Sequence, residues 1–247
     1  HFYVWDVHID RCRIGSAGIS LTGGGTLSIK NTSVEGFDFL AFRGDYGARW
    51  DGPIILENCS LIVNTAERET DIFRFEPLPG EYGYPTIFSS KITVRDFTFD
   101  FRQCPTNNFA AKLFKFTKET KISNDYIYFP SNIDIDTVNV RGRNKGVDIF
   151  ELDKPNLRRV GKQALFKVQA GDVEIEPNAF YNFKNIYTTE YQDSVKSAVK
   201  HVRLVAVESD EYVSNSLVPQ ITLTDCYKVS IAPLSSVSKF VINGGSV

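Results

Sequence analysis

Apolar and polar residues alternate with a period of two through most of this chain, in short segments rich in β-branched and aromatic side chains: GISLTG, FDFLAFRG, DIFRFEP, KLFKFTK, VDIFELDK, HVRLVAVES and KFVING. That period predicts half-buried strands, and helical spacing is almost absent. Between these segments a second pattern recurs: an apolar residue, any residue, then Asn, Asp, Thr or Arg, then a residue that is usually small or apolar. It reads Ile9-Asp10-Arg11-Cys12, Ile29-Lys30-Asn31-Thr32, Leu56-Glu57-Asn58-Cys59, Val94-Arg95-Asp96-Phe97, Ile135-Asp136-Thr137-Val138, Phe183-Lys184-Asn185-Ile186 and Leu223-Thr224-Asp225-Cys226. Its third positions lie 20, 27, 38, 41, 48 and 40 residues apart.

An interval of 20 is close to the least that one turn of a coiled sheet requires, and the longer intervals leave room for loops. The alternation of two segment types therefore predicts an all-β fold, a single right-handed parallel β-helix of about seven turns, each turn burying its apolar face only against its neighbours. Asn and Asp suit a tight bend because they tolerate positive φ and bond to nearby backbone. Arg11 and Thr137 depart from that rule. The residue after each bend should point inward, in a column of Cys12, Thr32, Cys59, Phe97, Val138, Ile186 and Cys226. Cys12 and Cys59 are then two strand spacings apart, beyond disulfide reach, and Cys104 is left over in a loop expected to be exposed. In the other segments Phe42, Phe73, Phe75, Phe114, Phe116, Phe150 and Leu152 should stack inside, with Arg74, Lys115 and Glu151 as an outward stripe. We expect one domain over residues 1–247, with 154–182 as either an excursion or an extra turn.

These features resemble the pectate-lyase-like β-helix superfamily, whose coils carry asparagine-rich bends, and within it phage tailspikes and polysaccharide-active proteins. RGDYGARWDGPIILENC is similar to a loop and rung of such proteins from bacteria and their phages. The resemblance implies a bacterial surface polysaccharide as partner, bound or degraded by a homotrimeric tailspike or tail-fibre body in the virion. The alternatives are a secreted monomeric lyase, hydrolase or epimerase, and a non-catalytic rod or adhesin. With no Met and a start at His1, the sequence reads as a piece of a longer protein.

Composition narrows the partners. Of the 247 residues 42% are apolar, enough for a large core, and the net charge of −2 supplies no basic field for nucleic acid. No apolar run reaches the roughly 18 residues of a spanning helix. Four scattered cysteines and His1, His8 and His201 form no zinc-binding spacing.

Five loops follow the second segments, and on a coil their bases would line one side. They carry Tyr46, Trp50, Tyr82, Tyr84, Tyr126 and Tyr128 amid charged residues, a composition suited to sugar rings and hydroxyls. The competing reading is that these aromatics cap the core or meet another subunit. Substrate-binding candidates are Trp50, Tyr46, Arg49, Tyr82, Tyr84 and Arg74, Trp50 foremost. For hydrolysis, Asp45 or Asp51 would pair with Glu76 or Glu81 from the next loop; for a lyase, Arg49, Arg74 and Lys115 offer the positive groups. No cofactor is required, although Asp134 and Asp136 on one strand could hold calcium. The sequons at Asn31 and Asn58 coincide with bends, and RGRNKG (141–146) is a basic turn.

Overall fold

The computed structural model describes residues 4–15, 18–42, 50–65, 69–75, 86–87, 89, 91–104, 106–116, 127–128, 130, 132–151, 180–191, 220–226 and 239–244. Among these the chain is all-β, and every strand pairing is parallel. The principal sheet stacks β1 (Val4–Asp10), β4 (Gly23–Lys30), β8 (Ile54–Ile62), β11 (Lys91–Asp100), β14 (Asn132–Asn144), β16 (Phe180–Tyr191), β17 (Gln220–Thr224) and β18 (Lys239–Asn243) in sequence order. Short strands extend it: β2 (Arg13–Ile14) pairs with β5 (Ser33–Glu35), β5 also with β8, and β7 (Trp50–Asp51) with β4. A second sheet stacks β3 (Ile19–Leu21), β6 (Asp38–Phe42), β9 (Thr70–Phe75), β12 (Ala111–Phe116) and β15 (Val147–Glu151), again in order. A third pairs β10 (Thr86–Ile87) with β13 (Ile127–Tyr128).

All seven expected bend residues hold positive φ: 53° at Arg11, 48° at Asn31, 51° at Asn58, 55° at Asp96, 66° at Thr137, 53° at Asn185 and 49° at Asp225. Arg11 and Thr137 adopt the bend despite their residue type. The bend asparagines also bond across to the neighbouring strand, to its bend residue or to the residue just before it. Asn31 Nδ2 donates to Asp10 Oδ1 at 2.9 Å, Asn58 Nδ2 to Asn31 Oδ1 at 2.8 Å, and Asn185 Nδ2 to Asp136 Oδ1 at 2.7 Å. The two sequon asparagines are thus parts of this ladder, where each amide bond contributes about 1 kcal/mol.

Cys59, Phe97, Val138 and Ile186 are in register behind the bends, and with Thr32 and Cys226 they are buried. Cys12 differs: it is exposed, because β1 is the end strand and pairs on one side only. All four cysteines are free thiols. Cys104 is buried rather than exposed, since the turn after β11 folds back on itself: its N–H donates to Phe101 O at 2.8 Å. On the second sheet Phe42, Phe73 and Phe114 are buried, the last two stacked at 5.1 Å with planes 12° apart. Arg74, Lys115 and Glu151 are in register as expected.

The residue just before each bend forms a further column, Asp10, Lys30, Glu57, Arg95, Asp136 and Lys184, whose sign alternates from strand to strand. Lys30 Nζ lies 2.6 Å from Glu57 and Lys184 Nζ 3.5 Å from Asp136. The segment 154–179 lies outside the described residues, and β14 pairs directly with β16 across it.

Candidate functional site

The register fixes where loops are rooted. Phe42, Phe75 and Phe116 are aligned at the ends of β6, β9 and β12, so the segments beginning at 43, 76 and 117 leave the second sheet from neighbouring positions. Thr86 and Ile127, on the return to the principal sheet, are likewise paired. Asp45, Tyr46, Arg49, Glu76, Glu81, Tyr82, Tyr84 and Tyr126 lie outside the described residues, as does the side chain of Tyr128.

Trp50, expected on an open surface, turns inward instead. It is fully buried, its Nε1 donates to Gly25 O at 3.1 Å, and its ring packs 6.4 Å from that of Phe42. Because β7 joins the edge of the principal sheet at Gly23 and Gly24, the loop ends by pressing its tryptophan into the core. Its neighbour Asp51 is half-buried and pairs with Gly24.

The exposed tryptophan is Trp5, at 63%. In β1 the register with β4 shifts between Trp5 and Val7, and Asp6 in the gap has φ 54°. Such a bulge re-aims side chains, and it does so here with an anchor: Asp6 Oδ1 accepts the Thr26 N–H at 2.7 Å. The neighbouring glycines make the room. A Cβ on Gly24 would lie 2.5 Å from Trp5 Cζ3 and 2.9 Å from Asp51 O, and one on Gly25 2.4 Å from Asp6 Oδ1 and 2.9 Å from Trp5 Nε1. The exposed indole thus lies on a glycine shelf beside Asp6, whereas the tryptophan expected at the surface, Trp50, is in the core. The clue in the sequence was the run Gly23-Gly24-Gly25 stacked beside Trp5.

No protein-family model, curated protein or solved structure matches this chain.

A second cluster underlies the second sheet. Arg74 is not an open substrate-binding cation: it is 20% exposed and its Nη1 donates to Asp38 Oδ2 at 2.6 Å. Lys115 and Lys112 both reach Glu69, Lys112 at 2.8 Å, and Lys112 is buried. Burial works against ionisation of Glu69, but the hydrogen bonds from Lys112 and Lys115 outweigh it and its pKa is lowered. Asp71 lies between Asp38 and Lys112 in the register and is fully buried. The half-buried stripe is thus a network of ion pairs.

Asp134 and Asp136 have protein donors in place of a cation. Arg95 pairs with Asp134, which also accepts Asn182 Nδ2 at 2.8 Å; Asp136 accepts from Asn185 and Thr137. Among the described residues no three His, Cys, Asp or Glu side chains gather as a metal site would require, and no helix is long and apolar enough to cross a membrane. In RGRNKG, Asn144 is buried and closes the turn by bonding Gly142 O at 2.7 Å and the Gly146 N–H at 2.9 Å.

Proposed function

We propose that this chain is the coil of a right-handed parallel β-helix that binds a bacterial surface polysaccharide as the body of a phage tailspike or tail fibre. Support for the coil comes from two parallel sheets whose strands alternate along the chain and stack in sequence order. The observation that carries the glycan reading is Trp5, held outward by the bulge at Asp6 on a shelf of Gly24 and Gly25. Sugar C–H faces pack on an aromatic face, and the neighbouring Asp6 carboxylate can accept a hydroxyl hydrogen. The Asp6 carboxylate repels uronates, so a neutral or amino-sugar polymer fits this shelf better than an acidic one. The aligned roots of the loops would extend the surface along the rod.

Sedimentation equilibrium followed by a glycan array on the same sample tests this reading. The expected result is a trimer that binds neutral bacterial polysaccharides, with Trp5→Ala lowering affinity by roughly tenfold or more, as loss of an aromatic contact of about 1.5 kcal/mol would. Phe114→Leu, a change inside the core of the second sheet, should leave binding unchanged. A monomer that binds no glycan, or a Trp5→Ala variant that binds as the parent does, would reject it.

A further inference from the structure

Asp38 and Asp71 are register partners on the adjacent strands β6 and β9. Asp71 is fully buried, and neither of its carboxyl oxygens meets a hydrogen-bond donor; nor does Asp38 Oδ1, while Asp38 Oδ2 takes its bond from Arg74. Buried acceptors are almost always satisfied. Two orphaned carboxyls side by side need a single proton between them to become a donor and an acceptor.

The surrounding charges agree. On β9 and just before it stand Arg74 and Glu69, on β12 Lys112 and Lys115, on β15 Asp148 in register with Lys112, and on β6 Asp38. Among the described side chains those are three cations and three anions without Asp71, and Glu151, in register with Lys115, adds no positive charge. An ionised Asp71 would therefore add one uncompensated negative charge in a place water does not reach.

We infer that Asp71 is protonated at neutral pH and donates its proton to Asp38 Oδ1, so that the β6–β9 pairing is a proton-binding switch within the second sheet. Burial, followed by the neighbouring Asp38 carboxylate, raises the Asp71 pKa well above the usual carboxylate range, with Lys115 and Arg74 opposing. A raised folded-state pKa means the folded chain holds a proton that the unfolded chain has released. The resulting stability is complete below the unfolded value, about 3.9, and is lost as pH rises through the folded pKa. Asp38 and Asp71 stand where β6 and β9 begin, so deprotonation weakens the second sheet at the entry to these two strands.

The test is a pH titration of the aspartate side-chain carboxyl carbons by NMR on the parent protein, with the Asp71 resonance assigned through its backbone. A companion denaturation series on parent and Asp71→Asn, whose amide can donate to Asp38 in place of the proton, gives the stability side. The expected results are a protonated Asp71 signal at pH 7 and a folded-to-unfolded ratio of Asp71→Asn, relative to parent, that climbs by up to tenfold per pH unit above about pH 4. An Asp71 signal that titrates near pH 4, or a ratio flat across that range, would overturn the inference. If Asp71→Asn does not fold, the NMR titration alone decides.

Discussion

Asn58 meets two demands at once: a backbone at φ 51°, and an amide that bonds the bend above it. Few side chains meet both, and valine, β-branched and without a polar group, is suited to neither. Replacing Asn58 by Val should therefore cost roughly 2–3 kcal/mol, combining left-handed strain of about 1–2 with a lost hydrogen bond of about 1. Lys30→Val, which removes only a half-exposed ion pair, should cost under about 1 kcal/mol. Urea denaturation of both variants checks this, and equal losses would contradict the bend column. Bends were legible in the sequence because the conformation restricts residue type so tightly that the pattern repeats, and even Arg11 and Thr137 could be found from the positions around them. The two tryptophans were not legible. Whether Trp50 or Trp5 is covered depends on β7 joining β4 and on a bulge at Asp6, both set by pairing between segments far apart in the chain.

At the scale of strands, the alternating column from Asp10 to Lys184 gives the principal sheet an electrostatic register. A slip by one strand would set like charges opposite each other, each such pair costing roughly 0.2–1 kcal/mol. Glu57→Lys should accordingly destabilise the chain by about 1 kcal/mol or more, by placing three cations in succession between Lys30 and Arg95. That loss should shrink in high salt, where surface charges are screened; thermal melts at low and high ionic strength measure it, and a salt-independent loss would mean the column acts through packing instead. The alternation stands at the second position of the first six repeats, and only Thr224 in the seventh is uncharged. The buried charge of the second sheet was equally within reach. Asp71 and Lys112 precede Phe73 and Phe114 by two residues, so the alternation that buries the rings also buries the charges. What the sequence cannot supply is the partner of each charge, because Glu69 and Lys112 meet only once β9 and β12 are adjacent.

At the scale of the whole molecule, the order of strands along the principal sheet carries everything else: the bend ladder, the charge column and the common side from which loops are rooted all follow from it. Each step from one strand to its neighbour should advance the chain about 4.8 Å along one axis. Distances between spin labels placed on the outward column test that directly, after Cys12→Ser removes the one exposed thiol among the four. Labels at Lys30 and Lys184 are four strand spacings apart, through β8, β11 and β14, and should lie about 19 Å apart apart from the label tethers. Labels at Asp10 and Lys184 span one step more, about 24 Å. Pulsed electron–electron resonance that finds the second pair longer than the first by about one strand spacing would establish the in-order stacking of the principal sheet; two distances that are equal, reversed in order, or far beyond these values would contradict it.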